Sequence, residues 1–299
     1  MRVLLGFPQQ DQQTGVYIKR AFEELGHEIV DIHDPKIQDR ELFLSMAKQH
    51  RPDLAFMSRS EPYCHVIERL RDVCLTSFWN VDVRADIGPW ANLGALMQYT
   101  HFWFTIAKSQ IPDFKKEYGN KNVYWLSEGC DSIHSIRPGG RTEEFDVFFA
   151  GSIDQFHEDC GNRVSVLNAI QNHGFTCQYS HGLKLVNEYH NDYVGRSQVC
   201  LGNSAFPQVE LSMSARDYRI MGAGGFLLTN NVKGIENWFK IGKECETYSS
   251  PEEAVEKVEY YCIHKEERIK IADTGYKAAH EKHRFKNRIE EVIKIAKSF

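Results

Sequence analysis

Short apolar runs recur at 2–7, 28–33, 53–58, 75–81, 101–107 and 123–126, and most of the intervals between them carry apolar residues at helical spacing. This alternation predicts an α/β fold on a parallel sheet, because parallel neighbours need a crossover and a helix supplies it. The first interval is the clearest: Val16, Ile18, Ala21, Phe22 and Leu25 make an apolar stripe, and Gly26 stands where a glycine cap ends a helix. Leu54-Ala-Phe-Met and Val123-Tyr-Trp-Leu are short and apolar throughout, as strands covered on both faces are.

The regular spacing breaks between Cys130 and Phe145, where Pro138-Gly-Gly and several charges intervene. A second α/β series opens at Asp146-Val-Phe-Phe-Ala-Gly-Ser. It continues through a helix at 163–173 and strands at 175–180, 198–202, 226–230 and 244–248. From Pro251 onward the pattern is helical, ending in an amphipathic segment with Phe285, Ile289, Val292, Ile293 and Ala296. A length of 299 residues suits two domains of roughly 150 each. The expected division is a first domain over 1–140 and a second over 141–284, with 285–299 as a terminal helix.

Lys and Arg number 36 against 41 Asp and Glu, so no global positive field is available to hold nucleic acid or an acidic membrane. The local cluster Lys282, Arg284, Lys286 and Arg288 reads as a solvated helix face or an interdomain contact. Apolar stretches such as Phe102 to Ala107 fall far short of the ~18 residues a bilayer span needs, and the opening MRVLLGFPQQ reads as a strand, not a signal peptide. The eight cysteines are scattered with no C-x-x-C pair, which implies reduced thiols and a cytoplasmic location.

In open parallel sheets, ligands bind beyond the carboxyl ends of the strands, and with two such domains the cleft between them is the expected site. Polar residues just after predicted strands are therefore candidates. In the first domain these are Gln9, Gln10, Asp11, Arg59, Glu61, Asn80, Asp82, Arg84 and Glu128; in the second, Ser152, Asp154, His181, Asn203, Ser204 and Asn230. Any one of them is also explained as a capping or solvated loop residue. Their value lies in the set. Gly151 ends its strand with room for close approach of a ligand or of packed backbone.

The most informative segment is Glu210-LSMSARDYRIMGAGGFLLTNN. Ser214 and Asp217 make an S-x-x-D capping box, so a helix is expected from Ser214 to a glycine stop at Gly222–Gly225. Unpaired N–H groups and the positive end of the macrodipole make such a start an anion site. Arg216 and Arg219, three residues apart on one face, can add charge-assisted bonds to a diphosphate, or pair with Asp217 or Glu210. Gly222-Ala-Gly-Gly is no dinucleotide fingerprint, since it follows a helix and precedes a strand. His157-Glu-Asp-Cys160 and His280-Glu-Lys-His283 lack the second cluster of a zinc site and read as structural. No D-x-D triplet, G-x-S-x-G or P-loop occurs, so a metal-free anion site is favoured over hydrolase or P-loop chemistry.

Arg216-Asp-Tyr-Arg-Ile-Met-Gly-Ala-Gly-Gly-Phe-Leu-Leu-Thr resembles the carboxyl domain of GT-B glycosyltransferases, specifically the spore-maturation-protein-like branch related to glycosyltransferase family 4. Gly234-Ile-Glu-Asn-Trp-Phe, Tyr248, Pro251-Glu-Glu-Ala, Glu267-Arg268, Gly275 and His283-Arg-Phe-Lys-Asn-Arg288 extend the resemblance. Trp125-Leu-Ser-Glu-Gly-Cys-Asp131 and the strand at Asp146 agree with it, so that it runs from about 123 to 290. It implies two Rossmann-like domains facing a cleft, with the last helix crossing back to the first domain. It further implies metal-independent transfer, with retention, from a nucleotide-diphosphate sugar, a UDP-sugar first among them, with no other cofactor.

By position, the donor side would use Gly151, Ser152, Arg163, His181, Asn203, Ser204, Arg216, Tyr218, Arg219 and Asn230. The acceptor side would use Gln10, Asp11, Asn80, Asp82 and Arg84, with Arg216, Arg219 and Asp82 nearest the chemistry. One departure stands out: Arg219 occupies the place where relatives carry a ribose-binding Glu. A catalytically silent nucleotide- or carbohydrate-binding relative and a sugar-nucleotide epimerase therefore remain open readings at this point.

Overall fold

The computed structural model describes residues 1–8, 14–30, 40–58, 66–84, 93–133, 137, 139–180 and 188–299. The chain forms two compact units, one of Met1–Ser127 with Phe285–Phe299 and one of Glu128–Arg284. The sequence reading places the division at 140, but Cys130 is already tied into the second unit: its N–H donates to the His283 carbonyl at 2.9 Å.

In the first unit, β1 (Arg2–Gly6), β2 (Glu28–Val30), β3 (Leu54–Ser58), β4 (Leu75–Asn80), β5 (Phe102–Thr105) and β6 (Val123–Trp125) form one sheet in the order β2-β1-β3-β4-β5-β6. Every pairing is parallel. The helices are α1 (Thr14–Glu24), α2 (Arg40–His50), α3 (Ile67–Arg71), α4 (Leu93–Tyr99) and α5 (Ile111–Tyr118). Strand side chains alternate between two buried faces, which is why the sequence runs look uniformly apolar. Val3, Leu5, Leu54, Phe56, Trp79, Phe102 and Phe104 enter one core, and Leu4, Ala55, Met57, Phe78 and Trp103 the other.

The second unit repeats the plan. Strands β7 (Phe145–Phe149), β8 (Cys177–Tyr179), β9 (Ser197–Leu201), β10 (Leu227–Asn230) and β11 (Glu246–Tyr248) form a parallel sheet in the order β11-β10-β9-β7-β8. Its helices are α6 (Gln155–Gly161), α7 (Arg163–Asn172), α8 (Glu188–Gly195), α9 (Ala215–Gly222), α10 (Pro251–Ile263) and α11 (Lys265–Lys282). All eleven described strands fall on the apolar runs read from the sequence. Both sheets are doubly wound, with order reversing between β1 and β3 in one and between β7 and β9 in the other.

The last helix, α12 (Phe285–Ala296), belongs to the first unit. Its apolar stripe Phe285, Ile289, Val292, Ile293 and Ala296 enters the core that holds α1 and the β1, β3 and β5 side chains. Phe285 lies 5.8 Å from the Tyr17 ring and 6.4 Å from Trp79, centroid to centroid. Phe285 is buried, so its truncation to Ala is expected to cost about 3–5 kcal/mol in denaturant unfolding of the full chain. A loss below about 1 kcal/mol, the scale of a surface change, would show that α12 is not part of this core.

Candidate functional site

Strand reversal at β7 and β9 opens a crevice beyond their carboxyl ends, because the following segments leave toward opposite faces of the sheet. Two arginines from different helices meet there. Arg163, first residue of α7, donates from Nη1 to the Ser152 carbonyl at 2.8 Å, from Nη2 to the Asn203 carbonyl at 2.9 Å and from Nε to Asn203 Oδ1 at 3.2 Å. Arg216, in the first turn of α9, donates from Nη1 to the same Asn203 carbonyl at 2.9 Å and from Nε to the Ala150 carbonyl. Both guanidinium carbons lie over the Phe149 ring, at 5.4 Å for Arg163 and 4.6 Å for Arg216.

Neither guanidinium has a carboxylate within ion-pair distance among the described residues. Burial, then the charge of Arg216, pushes Arg163 down to about 9. Arg216 is lowered as well, by burial first, against the pull of the Asp217 charge and with a smaller repulsion from Arg219. Arginine stays charged at neutral pH even so, and the result is a concentrated positive site whose charge an anion would balance. The arginine sharing an acceptor with Arg216 is Arg163, whereas sequence spacing pointed to Arg219.

The walls are built from small residues and fixed loops. A Cβ on Gly151 would sit 2.4 Å from Arg216 Nη2 and 3.1 Å from its Cζ, so the missing side chain leaves the place the guanidinium occupies. Gly151 N–H donates to Ser180 Oγ at 3.1 Å, joining the turns after β7 and β8. Asn203 is fully engaged: beyond Arg163, its Nδ2 donates to the Gly161 carbonyl at 2.9 Å and to Tyr248 Oη at 3.1 Å. Asn230 grips the Ser204 backbone in both directions, accepting its N–H and donating to its carbonyl, each at 2.8 Å. These two asparagines, read from the sequence as donor ligands, hold the loop that receives the arginines. Ser152 is exposed and Ser204 buried.

At the start of α9, Ser214 Oγ accepts from Arg216 N–H at 3.3 Å, so the N-cap forms. The other half of the expected capping box does not. Ser214 N–H donates to Ser204 Oγ at 2.8 Å, and Asp217 turns inward to accept from Ser204 Oγ at 3.4 Å and Thr229 Oγ1 at 3.3 Å. Tyr218 also departs from its expected donor-facing role: it is buried, its hydroxyl accepts from Trp238 Nε1 at 3.0 Å, and its ring packs near Phe239 and His283. Sequence reasoning missed the Phe149 ring beneath the guanidiniums and the inward turn of Asp217. It also missed His190, a buried imidazole against Phe148 whose Nε2 has no partner and which burial, with the charges of Arg219 and Arg216, pushes down to about 3.

In the first unit, Asn80 ends β4 fully buried, with Oδ1 accepting from Asp82 N–H at 3.4 Å and Nδ2 without a partner. Asp82 and Arg84 follow on the surface, and the Arg84 carbonyl accepts from Gln110 Nε2 at 2.7 Å. Gln9, Gln10, Asp11, Arg59, Glu61 and His181 lie outside the described residues. His157 pairs with Asp154 at 2.6 Å, Glu158 caps α7, and His280 bonds the Gly222 carbonyl at 2.9 Å, so both histidine motifs are structural. Among the described residues no group of three or more His, Cys, Asp and Glu stands together as metal ligands.

A doubly wound parallel sheet with cationic side chains and a helix start at its switch point is an arrangement whose charge and free N–H groups suit an anion such as phosphate. Residues 141–294 match the glycosyl transferase-like family, and this protein belongs to that family. No curated protein sequence matches it.

Solved structures agree on the fold. A glycosyltransferase from Rickettsia africae superposes with a TM-score of 0.67 at 8% identity, over 99% of this chain and 98% of that one. Anabaena HepE in complex with UDP and glucose gives 0.67 at 9%, over 100% of both. Sucrose-phosphate synthase of Thermosynechococcus elongatus gives 0.66 at 11%, over 100% and 98%. Two parallel-sheet α/β domains of the GT-B kind are thus the architecture of this chain.

Two outcomes are expected of this site. Burial raises the Asp217 carboxyl from 3.8 to about 6, so the folded protein holds a proton that the unfolded chain releases, and the associated stability is lost as pH rises through 6. Asp217→Asn should accordingly raise stability at neutral pH by about 2–3 kcal/mol and flatten that limb of the stability-against-pH curve, measured by urea unfolding. Gly151→Ala should push the Arg216 guanidinium from its place and press on the Phe149 ring, weakening anion affinity, measured by calorimetry, while lowering the unfolding free energy by about 1 kcal/mol. A large stability loss without an affinity change would contradict that placement.

Proposed function

We propose that this protein transfers a sugar from a UDP-sugar to an acceptor, receiving the donor diphosphate at Arg163, Arg216 and the start of α9. The observation that carries the reading is the pair of guanidiniums stacked on Phe149 and sharing one carbonyl, with no carboxylate in ion-pair distance of either among the described residues. Family membership supplies the reaction class, and the HepE structures with UDP and with UDP-glucose favour uridine as the nucleotide.

As the bond from the anomeric carbon to the diphosphate oxygen breaks, negative charge grows on the leaving group. Preorganised N–H donors meet that charge without reorganising, each contributing roughly 3–4 kcal/mol by comparison with oxyanion donors elsewhere. Guanidinium and helix-end charge make the transfer independent of a metal ion. The acceptor hydroxyl passes its proton to the departing phosphate on the same face, and the product keeps the donor's anomeric configuration. The acceptor is taken up on the side of Asn80, Asp82 and Arg84. Arg219 replaces the ribose-binding Glu of relatives by adding positive charge beside Arg216. Free thiols at all seven described cysteines fit a cytoplasmic enzyme, and no helix among the described residues is long and apolar enough to cross a membrane.

Calorimetry with UDP and UDP-glucose in EDTA tests this directly. Arg216→Ala should weaken UDP binding roughly 10- to 100-fold, the worth of a charge-assisted phosphate contact. Slow hydrolysis of UDP-glucose, with the released anomer read by NMR, separates an enzyme from a silent binder. No binding of either nucleotide at millimolar concentration would remove the reading.

A further inference from the structure

Asp217 is a buried carboxylate that the proposed transfer does not use, and it lies beside the two guanidiniums that transfer needs. Its connections all lead into their supports. The Ser204 hydroxyl has a single hydrogen, which points to Asp217 Oδ2 at 3.4 Å, leaving its lone pairs to accept the Ser214 N–H at 2.8 Å. The loop after β9 and the start of α9 are thereby joined through one oxygen atom. The other carboxylate oxygen accepts from Thr229 Oγ1 of β10 at 3.3 Å. Asn203, whose carbonyl receives Arg163 and Arg216, immediately precedes Ser204, and Arg216 immediately precedes Asp217.

We propose that Asp217 is a positioning residue of the two-arginine site: through the Ser204 hydroxyl it holds the Asn203 carbonyl and the first turn of α9 in fixed relation. The inference rests on the donor-site reading above for its functional meaning. Its structural content stands on the contacts themselves.

The space around the carboxylate is closed on the side of Gly202, where a Cβ would stand 2.4 Å from both Asp217 Oδ1 and Thr229 Oγ1. Two long contacts from hydroxyl groups do not compensate a buried charge in full, and burial outweighs the pull of Arg216 on the same helix and Arg163 on α7. The other titratable neighbours are Cys245, ahead of β11, and Tyr248 within it. Each is raised chiefly by its own burial, with the Asp217 charge adding to the rise. An apolar residue of similar volume would pack here at lower cost, but it would leave the Ser204 hydroxyl with no direction to prefer.

The test reads the Arg163 and Arg216 Nε–H signals by NMR in the full-length, ligand-free protein. Both signals are expected to shift with a common midpoint near pH 6 in wild type, and to stay flat in Asp217→Asn, which keeps an acceptor but does not titrate. Flat signals in wild type, or an unchanged midpoint in Asp217→Asn, would overturn the proposal.

Affinity for UDP-glucose, which carries no group titrating near pH 6, is the second readout. Ser204→Ala and Asp217→Leu should each weaken it about tenfold at neutral pH, with Asp217→Asn restoring it to within about threefold of wild type. Wild-type affinity in Ser204→Ala, which keeps the carboxylate should Asp217→Leu fail to fold, would likewise overturn it. If wild type itself does not bind UDP-glucose, the donor reading falls and the guanidinium titration alone decides the positioning.

Discussion

Two like charges held side by side need acceptors to keep them there, and here both converge on one backbone oxygen. The Asn203 carbonyl accepts from Arg163 and Arg216 together, so groups that repel each other are anchored to one dipole at the carboxyl end of β9. Everything nearby keeps that oxygen in place: Asn230 fixes the next residue by both its N–H and its carbonyl, and Tyr248 donates to the Gly202 carbonyl just before it. The Phe149 ring below supplies a negative π-face to both cations. The positive charge of the site is thus built into the sheet edge, not carried on mobile surface side chains.

The same topology in the first unit produces a different surface. Its sheet also reverses order, between β1 and β3, and at the carboxyl end of β4 it carries a buried amide at Asn80 followed by exposed Asp82 and Arg84. One architecture, used twice, carries two guanidiniums at the switch point of one unit and, among the described residues, an amide, a carboxylate and a guanidinium after β4 of the other. Fold alone does not specify chemistry; the loop residues do.

The sheets were legible because the inner strands, such as Leu54–Ser58 and Phe102–Thr105, are covered on both faces, which prints an unbroken apolar run into the sequence. Arg216 was legible for a local reason: a serine cap and a helix period place it at a helix start. Its partnership with Arg163 was not, because two residues 53 positions apart are brought together by strand order, which no local spacing encodes. Asp217 illustrates the opposite error. S-x-x-D is a sound local signature, but the Ser204 hydroxyl, ten residues upstream of Ser214, captured the N–H that the box would have used, and the carboxylate went inward. The resemblance places Tyr218 on the donor side, and the structure turns it into an aromatic cluster with Trp238, Phe239 and His283. Tertiary competition for donors separates these cases from Ser214, whose cap forms as read.

The membership of α12 in the first unit bears on the order of events during synthesis. Every residue of the second unit leaves the ribosome before Phe285 does, although Phe285, Ile289 and Val292 help to close the core begun by β1 and α1. The second unit is an uninterrupted stretch, so it can complete while the growing amino-terminal sheet still exposes the groove that α12 will fill. Of the two units, the one begun first is therefore the last to finish, and for that interval its open apolar groove is the stretch most in need of shielding from wrong partners.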